Sequence, residues 1–95
     1  MNASKIDRFE MTKTFEKTFA KLTAGEQRRI QTALRTATID LDDPMLRRHE
    51  LKGTRAGTIS LSAGGDLRIL CRVYQQGKET VALLQVVGTH SQLYG

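Results

Sequence analysis

The sequence predicts a single α+β domain spanning residues 1–95, with two N-terminal helices packed on one face of a small, mainly antiparallel sheet. Three observations carry that expectation. Apolar residues recur at helical spacing through the first half. They alternate with polar residues through the second half. The boundaries between these segments fall on capping and turn residues. A chain this short buries only a modest core.

The first element is the weakest. Arg8 to Met11 reads as a short edge strand, with Phe9 and Met11 on one face and Arg8 and Glu10 on the other; Ile6 is out of phase with it. Phe15, Phe19 and Leu22 then follow at spacings of four and three, one face of a helix, while Lys13, Lys17 and Lys21 form a stripe on another. Thr23-Ala24-Gly25-Glu26 fits a capping box, so a second helix starts there after a break at Ala20 to Thr23. Ile30, Ala33, Leu34 and Ala37 continue it, and Asp42-Asp43-Pro44 closes the helical half.

Thr58 to Ser62 alternates, with Ile59 and Leu61 on one face. Ala63-Gly64-Gly65 is a turn. Leu67, Ile69, Cys71 and Val73 then share a face, opposite Asp66, Arg68, Leu70 and Arg72. Gln75-Gln76-Gly77-Lys78 is a hairpin turn, and Thr80 to Val87 is apolar on both faces, as a central strand would be. The helices are expected on the Ile59/Leu61 face. The opposite face, with Ser62, Asp66, Arg68, Arg72, Leu70, Leu83 and Val87, is expected to be open, and Gly88 to mark the exit from the last strand.

Lys and Arg number 15 against 10 acidic residues, a net charge of +5, which suits a phosphate-rich partner or an acidic protein. The excess concentrates in MLRRHELKGTR, where Arg47, Arg48, Lys52 and Arg55 surround His49. No apolar run is long enough to span a membrane, and MNASKIDRFEMTK has no apolar signal core, so a cytoplasmic location is expected. Two histidines and a single Cys71 make no zinc set, and Gly64-Gly65 lacks the lysine of a phosphate loop, so neither metal nor cofactor is expected. Cys71 falls on the core face and reads as a small hydrophobe.

What remains is His49, Asp66, Arg68, His90 and Tyr94. Only two histidines and two tyrosines occur in the chain, and one of each lies in the terminal GTHSQLYG. This set suits cleavage of RNA by its own 2′-hydroxyl. That reaction needs a base, an acid and cations around the crowded phosphorane, but no protein nucleophile. Each residue also has an ordinary structural reading: a surface histidine, a packing tyrosine, an Arg68–Asp66 pair on one strand face.

Taken together, RRHELKG, GGDLRILCRV and VALLQVVGTHSQLYG resemble the RelE/ParE toxin superfamily of bacterial toxin–antitoxin systems, nearest its YafQ-like messenger-RNA interferases. The resemblance covers roughly residues 9 to 95 and is strongest from His49 onward. It implies the RelE-like sheet with two helices on one face. It also implies endoribonuclease action on mRNA at the ribosome, a cognate antitoxin as partner, and operator DNA binding by the complex through that antitoxin. Carried over by position, it makes His49, Asp66, Arg68, His90 and Tyr94 catalytic. Arg47, Arg48, Lys52, Arg55 and Arg72 are expected to bind RNA or ribosome. Ser62 and Leu67 depart from the YafQ-like pattern, which can carry histidine and tryptophan there. The same superfamily includes ParE-like toxins that inhibit DNA gyrase, the alternative expectation.

Overall fold

The computed structural model describes residues 5–94. In chain order the elements are β1 (Arg8–Met11), α1 (Lys13–Ala20), α2 (Ala24–Ile39), β2 (His49–Glu50), β3 (Ile59–Ser62), β4 (Leu67–Gln76), β5 (Glu79–Thr89) and α3 (His90–Tyr94). Short 3-10 turns lie at Pro44–Leu46 and Gly53–Arg55. The sheet order is β1-β5-β4-β3-β2. The expected meander β3–β4–β5 is antiparallel, β2 adds to it antiparallel, and only β1 pairs in parallel, along β5.

Hydrogen bonds from threonines at the helix starts and to β5 place the helices. Thr12 ends β1, donating its N–H to Leu84 O at 3.0 Å, and its Oγ1 accepts from Phe15 N at 3.0 Å to cap α1. Thr18 Oγ1 then accepts from Val87 N at 3.2 Å, so α1 occupies the edge of β5 that β1 leaves free. The capping box at α2 is complete: Thr23 Oγ1 accepts from Glu26 N at 3.1 Å, and Glu26 Oε1 from Thr23 N at 2.9 Å. Phe15, Ile30, Ala33 and Ala37 bury themselves against Ile59, Leu61, Leu67, Ile69, Cys71 and Leu84, the predicted face. Each large side chain so buried contributes about 1.5–3 kcal/mol. Ile6 joins this core ahead of β1, with its N–H on Ala37 O at 2.9 Å; the strand's phase does not apply to it. Burial also holds the Cys71 thiol up at about 12.

At the far end of the sheet, Tyr74 Oη donates to Glu10 Oε1 at 2.6 Å across β5, and Arg8 bridges Glu10 and Glu79. The Tyr74 bond, then Arg8, draws the Glu10 carboxyl below its ordinary range, and the same Glu10 bond raises Tyr74. This cluster ties β1, β4 and β5 together. Among the described residues no helix is long and apolar enough to cross a membrane.

Three expectations need correction. The second sheet face is only partly open: Thr58, Ser60, Ser62 and Leu70 are buried on it, whereas Asp66 and Arg72 are exposed and Arg68 and Leu83 half-buried. The loop after β2 is tied over that face by Arg72 Nη2 donating to Ala56 O at 3.2 Å, and Thr58 Oγ1 donates across β4 to Gln85 Oε1 at 3.3 Å. Val87 lies on the core face, because β5 carries one extra residue, Gln85, between the partners of Leu70 and Cys71. That bulge reverses the inside–outside phase along the rest of β5, and Val86 takes the outer position. Gly88 does not end the strand. It pairs with Arg68 inside β5, and the turn into α3 comes after Thr89.

Candidate active site

The site is built from the ends of β4 and β5. The Gly64-Gly65 turn, both residues at positive φ, delivers Asp66 and then Arg68 at the start of β4. β5 runs antiparallel beside it and ends at Thr89. His90 N donates to Asp66 O at 2.8 Å, so the first residue of α3 is pinned to the residue before β4. Within α3 the His90 and Tyr94 rings lie 4.5 Å apart, tilted by 49°. A Cβ on Gly88 would stand 2.8 Å from Gln92 Oε1 and 3.5 Å from Leu93 Cδ2. The absence of a side chain there lets α3 fold back over the sheet.

Arg68 turns inward. Its Nη1 donates to Gly65 O at 2.9 Å, Leu67 O at 3.1 Å and Ser62 Oγ at 3.3 Å. It forms no ion pair with Asp66; the ion pairs among the described residues are Arg8–Glu10, Arg8–Glu79 and Arg48–Asp42. A guanidinium held by neutral oxygens keeps its charge for an anion.

His49 stands on the same face, opposite Ser60 in the β2–β3 register, while Arg68 is opposite Ser62. Two strand spacings and one side-chain repeat separate His49 from Arg68, roughly 12 Å between Cα positions. Their side chains can meet on one substrate but do not touch. His49 Nδ1 lies 3.2 Å from Arg47 O. A carbonyl only accepts, so this contact puts a proton on Nδ1, and in the neutral imidazole the lone pair is then on Nε2. Arg47 itself sits in the left-handed region at φ 46, an unusual conformation for a long side chain.

Of the basic residues, Arg48 is paired with Asp42 Oδ1 at 2.9 Å. Arg47 and Lys52 are exposed. Arg55 Nη2 reaches Leu93 O at 3.4 Å, linking the basic loop to α3 across the face. Arg72 is occupied with Ala56 O. Among the described residues no group of three or more His, Cys, Asp or Glu is placed to hold a metal ion.

Sequence reasoning missed Arg29. From α2 it donates to Ala63 O at 3.2 Å and Gly64 O at 3.1 Å, clamping the turn that positions Asp66 and Arg68. Nothing in local spacing signals a contact across more than thirty residues. It also missed α3, five residues too short for a periodic signal.

No family model matches the chain, and no curated protein does. Solved structures do. The YoeB/ParE toxin from Agrobacterium tumefaciens matches with a TM-score of 0.73 at 20% identity, over 87% of this chain and 98% of that one. YafQ from E. coli matches at 0.69 and 17% identity, over 96% and 100%. The RelBE2 toxin–antitoxin complex from Mycobacterium tuberculosis matches at 0.65 and 22%, over 96% and 99%. The chain has the RelE-like toxin fold. At these identities the likeness is one of fold.

Proposed function

We propose that this protein is the toxin of a bacterial type II toxin–antitoxin pair and a metal-independent endoribonuclease that cleaves mRNA on the ribosome in the cytoplasm. The observation that carries the reading is the pinning of His90 on Asp66 beside an Arg68 whose guanidinium has no carboxylate partner among the described residues. A proton-transfer group and a free cation at one strand end are what phosphodiester cleavage requires; a surface that only binds gyrase needs neither.

In this mechanism His49 Nε2 takes the proton of the RNA 2′-hydroxyl. The 2′ oxygen attacks phosphorus, Arg68 stabilises the charge on the phosphorane oxygens, and the bond to the 5′ oxygen breaks. His90, as the acid, protonates that oxygen, leaving a 2′,3′-cyclic phosphate and a 5′-hydroxyl. Tyr94 stacks on a splayed base beside the scissile bond, and Asp66 orients the His90 end. Arg47, Lys52 and Arg55 hold flanking phosphates, with Arg48 and Arg72 in lesser roles because each already has a partner.

The antitoxin is the second partner, and the toxin–antitoxin complex binds operator DNA through it. Its solved counterparts include the E. coli DinJ–YafQ complex. Of the apolar sheet patch that could have received it, Leu70 is buried and Val87 faces the core, which leaves only Leu83 half-buried there. A groove of about 600 Å³ between α2 and the Ser62–Gly64 turn, with Arg28 and Arg29 beside Ala33, Met45 and Leu46, instead has the lining an acidic amphipathic segment would meet.

The test is to incubate the protein with translating ribosomes and map transcript ends. New ends that depend on His90, carrying cyclic phosphate, are expected. Intact transcript with the protein bound would sink the cleavage reading, and a DNA-damage response without mRNA cleavage would point to gyrase.

A further inference from the structure

Three hydroxyls stand on the site face of β3 and the residue before it, and two of them are satisfied. Thr58 Oγ1 donates to Gln85 Oε1 at 3.3 Å. Ser62 Oγ accepts from Gly64 N at 3.2 Å and Arg68 Nη1 at 3.3 Å. Ser60 lies between them, 1% exposed, and its Oγ has no partner among the described residues. A buried hydroxyl without a partner lowers stability relative to alanine, and such a group calls for a reason. Leu70 on one side of it offers no polar atom in its side chain. On the other side is His49, directly opposite Ser60 in the β2–β3 register. Opposed residues on one sheet face hold their Cβ atoms about 4.5–5.5 Å apart, within reach of an imidazole-to-hydroxyl bond. The ring instead rests with Nδ1 on Arg47 O, and that carbonyl belongs to a residue in a strained left-handed conformation.

We propose that Ser60 is a positioning residue for His49: with RNA bound, the imidazole turns from Arg47 O to Ser60 Oγ. This rests on the cleavage reading above. The Nδ1–H proton changes acceptor without leaving the ring, so the tautomer is kept and Nε2 is held toward the 2′-hydroxyl. The Ser60 hydroxyl gains the partner it lacks. Ser60 touches neither substrate nor reacting atoms; it acts only through His49.

The experiment is ¹⁵N NMR of the histidine side chains, a tractable case because the chain has only two. His90→Ala assigns them. The probe is a short oligonucleotide with 2′-O-methyl groups, which binds and cannot be cleaved. In the native protein it is expected to shift His49 Nδ1. Ser60→Ala abolishes that shift and leaves His90 unchanged, and Ser60→Thr, which keeps the hydroxyl, retains it. In cleavage assays Ser60→Ala lowers kcat by about fivefold to tenfold, the worth of one hydrogen bond, with KM little changed. Ser60→Thr restores kcat. Ser60→Ala is expected to melt no lower than the native protein, since it removes an unsatisfied group. Ser60→Cys, of similar shape, serves as a second variant expected to behave like Ser60→Ala. An identical His49 Nδ1 shift in native and Ser60→Ala protein overturns the proposal. If the native protein cleaves nothing, the cleavage reading falls, and the NMR comparison still decides whether Ser60 and His49 pair.

Discussion

The amide of His90 donates to the carbonyl of Asp66 at 2.8 Å, joining the terminal helix to the residue before β4 through backbone alone. The position of α3 is therefore independent of the His90 ring. The ring stands 4.5 Å from that of Tyr94, four residues on within the same helix, and has no hydrogen bond among the described residues. Side-chain loss at His90 removes chemistry and leaves the frame standing.

His90→Ala is accordingly expected to lower cleavage by about 10²-fold or more, the usual worth of a general acid, with an unchanged circular dichroism spectrum. Arg68→Ala should cost as much in rate and slightly more in stability, because it also releases Gly65 O, Leu67 O and Ser62 Oγ. A near-native rate in His90→Ala would remove that residue from the mechanism.

Gly88→Ala tests the seating of α3. The new Cβ would meet Gln92 Oε1 at 2.8 Å, and that oxygen accepts from Thr89 N at 2.8 Å. Gln92 can swing aside only by giving up the bond that holds the first turn. Cleavage should fall severalfold while melting temperature changes little, since α3 contributes no buried residue. A rate equal to the native one would mean that α3 need not be fixed.

Arg48 and Arg47 are adjacent in sequence and differ in availability. Arg48 is paired with Asp42, whereas Arg47 is exposed without a carboxylate among the described residues. In RNA binding measured against salt, Arg47→Asn should weaken affinity and reduce the slope by about one, and Arg48→Ala should do markedly less. Arg47→Asn should also stabilise the fold by up to about 1 kcal/mol, since asparagine tolerates the left-handed region better. Equal salt slopes for the two variants would count against this division.

These contrasts also mark what was legible in the sequence. The capping box at Thr23, the meander and the core face from Ile59 to Val73 could be read because each rests on neighbours a few residues apart. The phase of Val87 could not, because a bulge at Gln85 leaves no mark on a run apolar on both faces. The covering of Leu70 depends on Arg72–Ala56 and Thr58–Gln85, contacts between distant segments. At the site, His49, Asp66, Arg68, His90 and Tyr94 stood out as scarce or charged residues at strand ends, yet the unpaired state of Arg68 and the buried Ser60 hydroxyl are properties of packing. Arg29 gives no sequence signal, because its contacts with Ala63 O and Gly64 O join distant segments.

Cys71 supplies a prediction with a definite pH window. Its ordinary value is 9.0, and burial in the core raises it to about 12, opposed weakly by the charge of Arg48. The folded state therefore favours the neutral thiol. The stability this contributes is complete below pH 9 and is lost as pH rises through 12, because only there does the folded protein give up the proton that the unfolded chain released earlier. Between those limits the native protein should lose stability faster than Cys71→Ala, by on the order of 1.4 kcal/mol per pH unit. Cys71→Ala itself starts lower because of the cavity it leaves. Denaturant melts at pH 8, 10 and 11 would measure the difference in slope. A thiol reagent at pH 8 should leave Cys71 unmodified in the folded protein and react once it is unfolded. Rapid modification of the native protein would mean that the core opens at this strand.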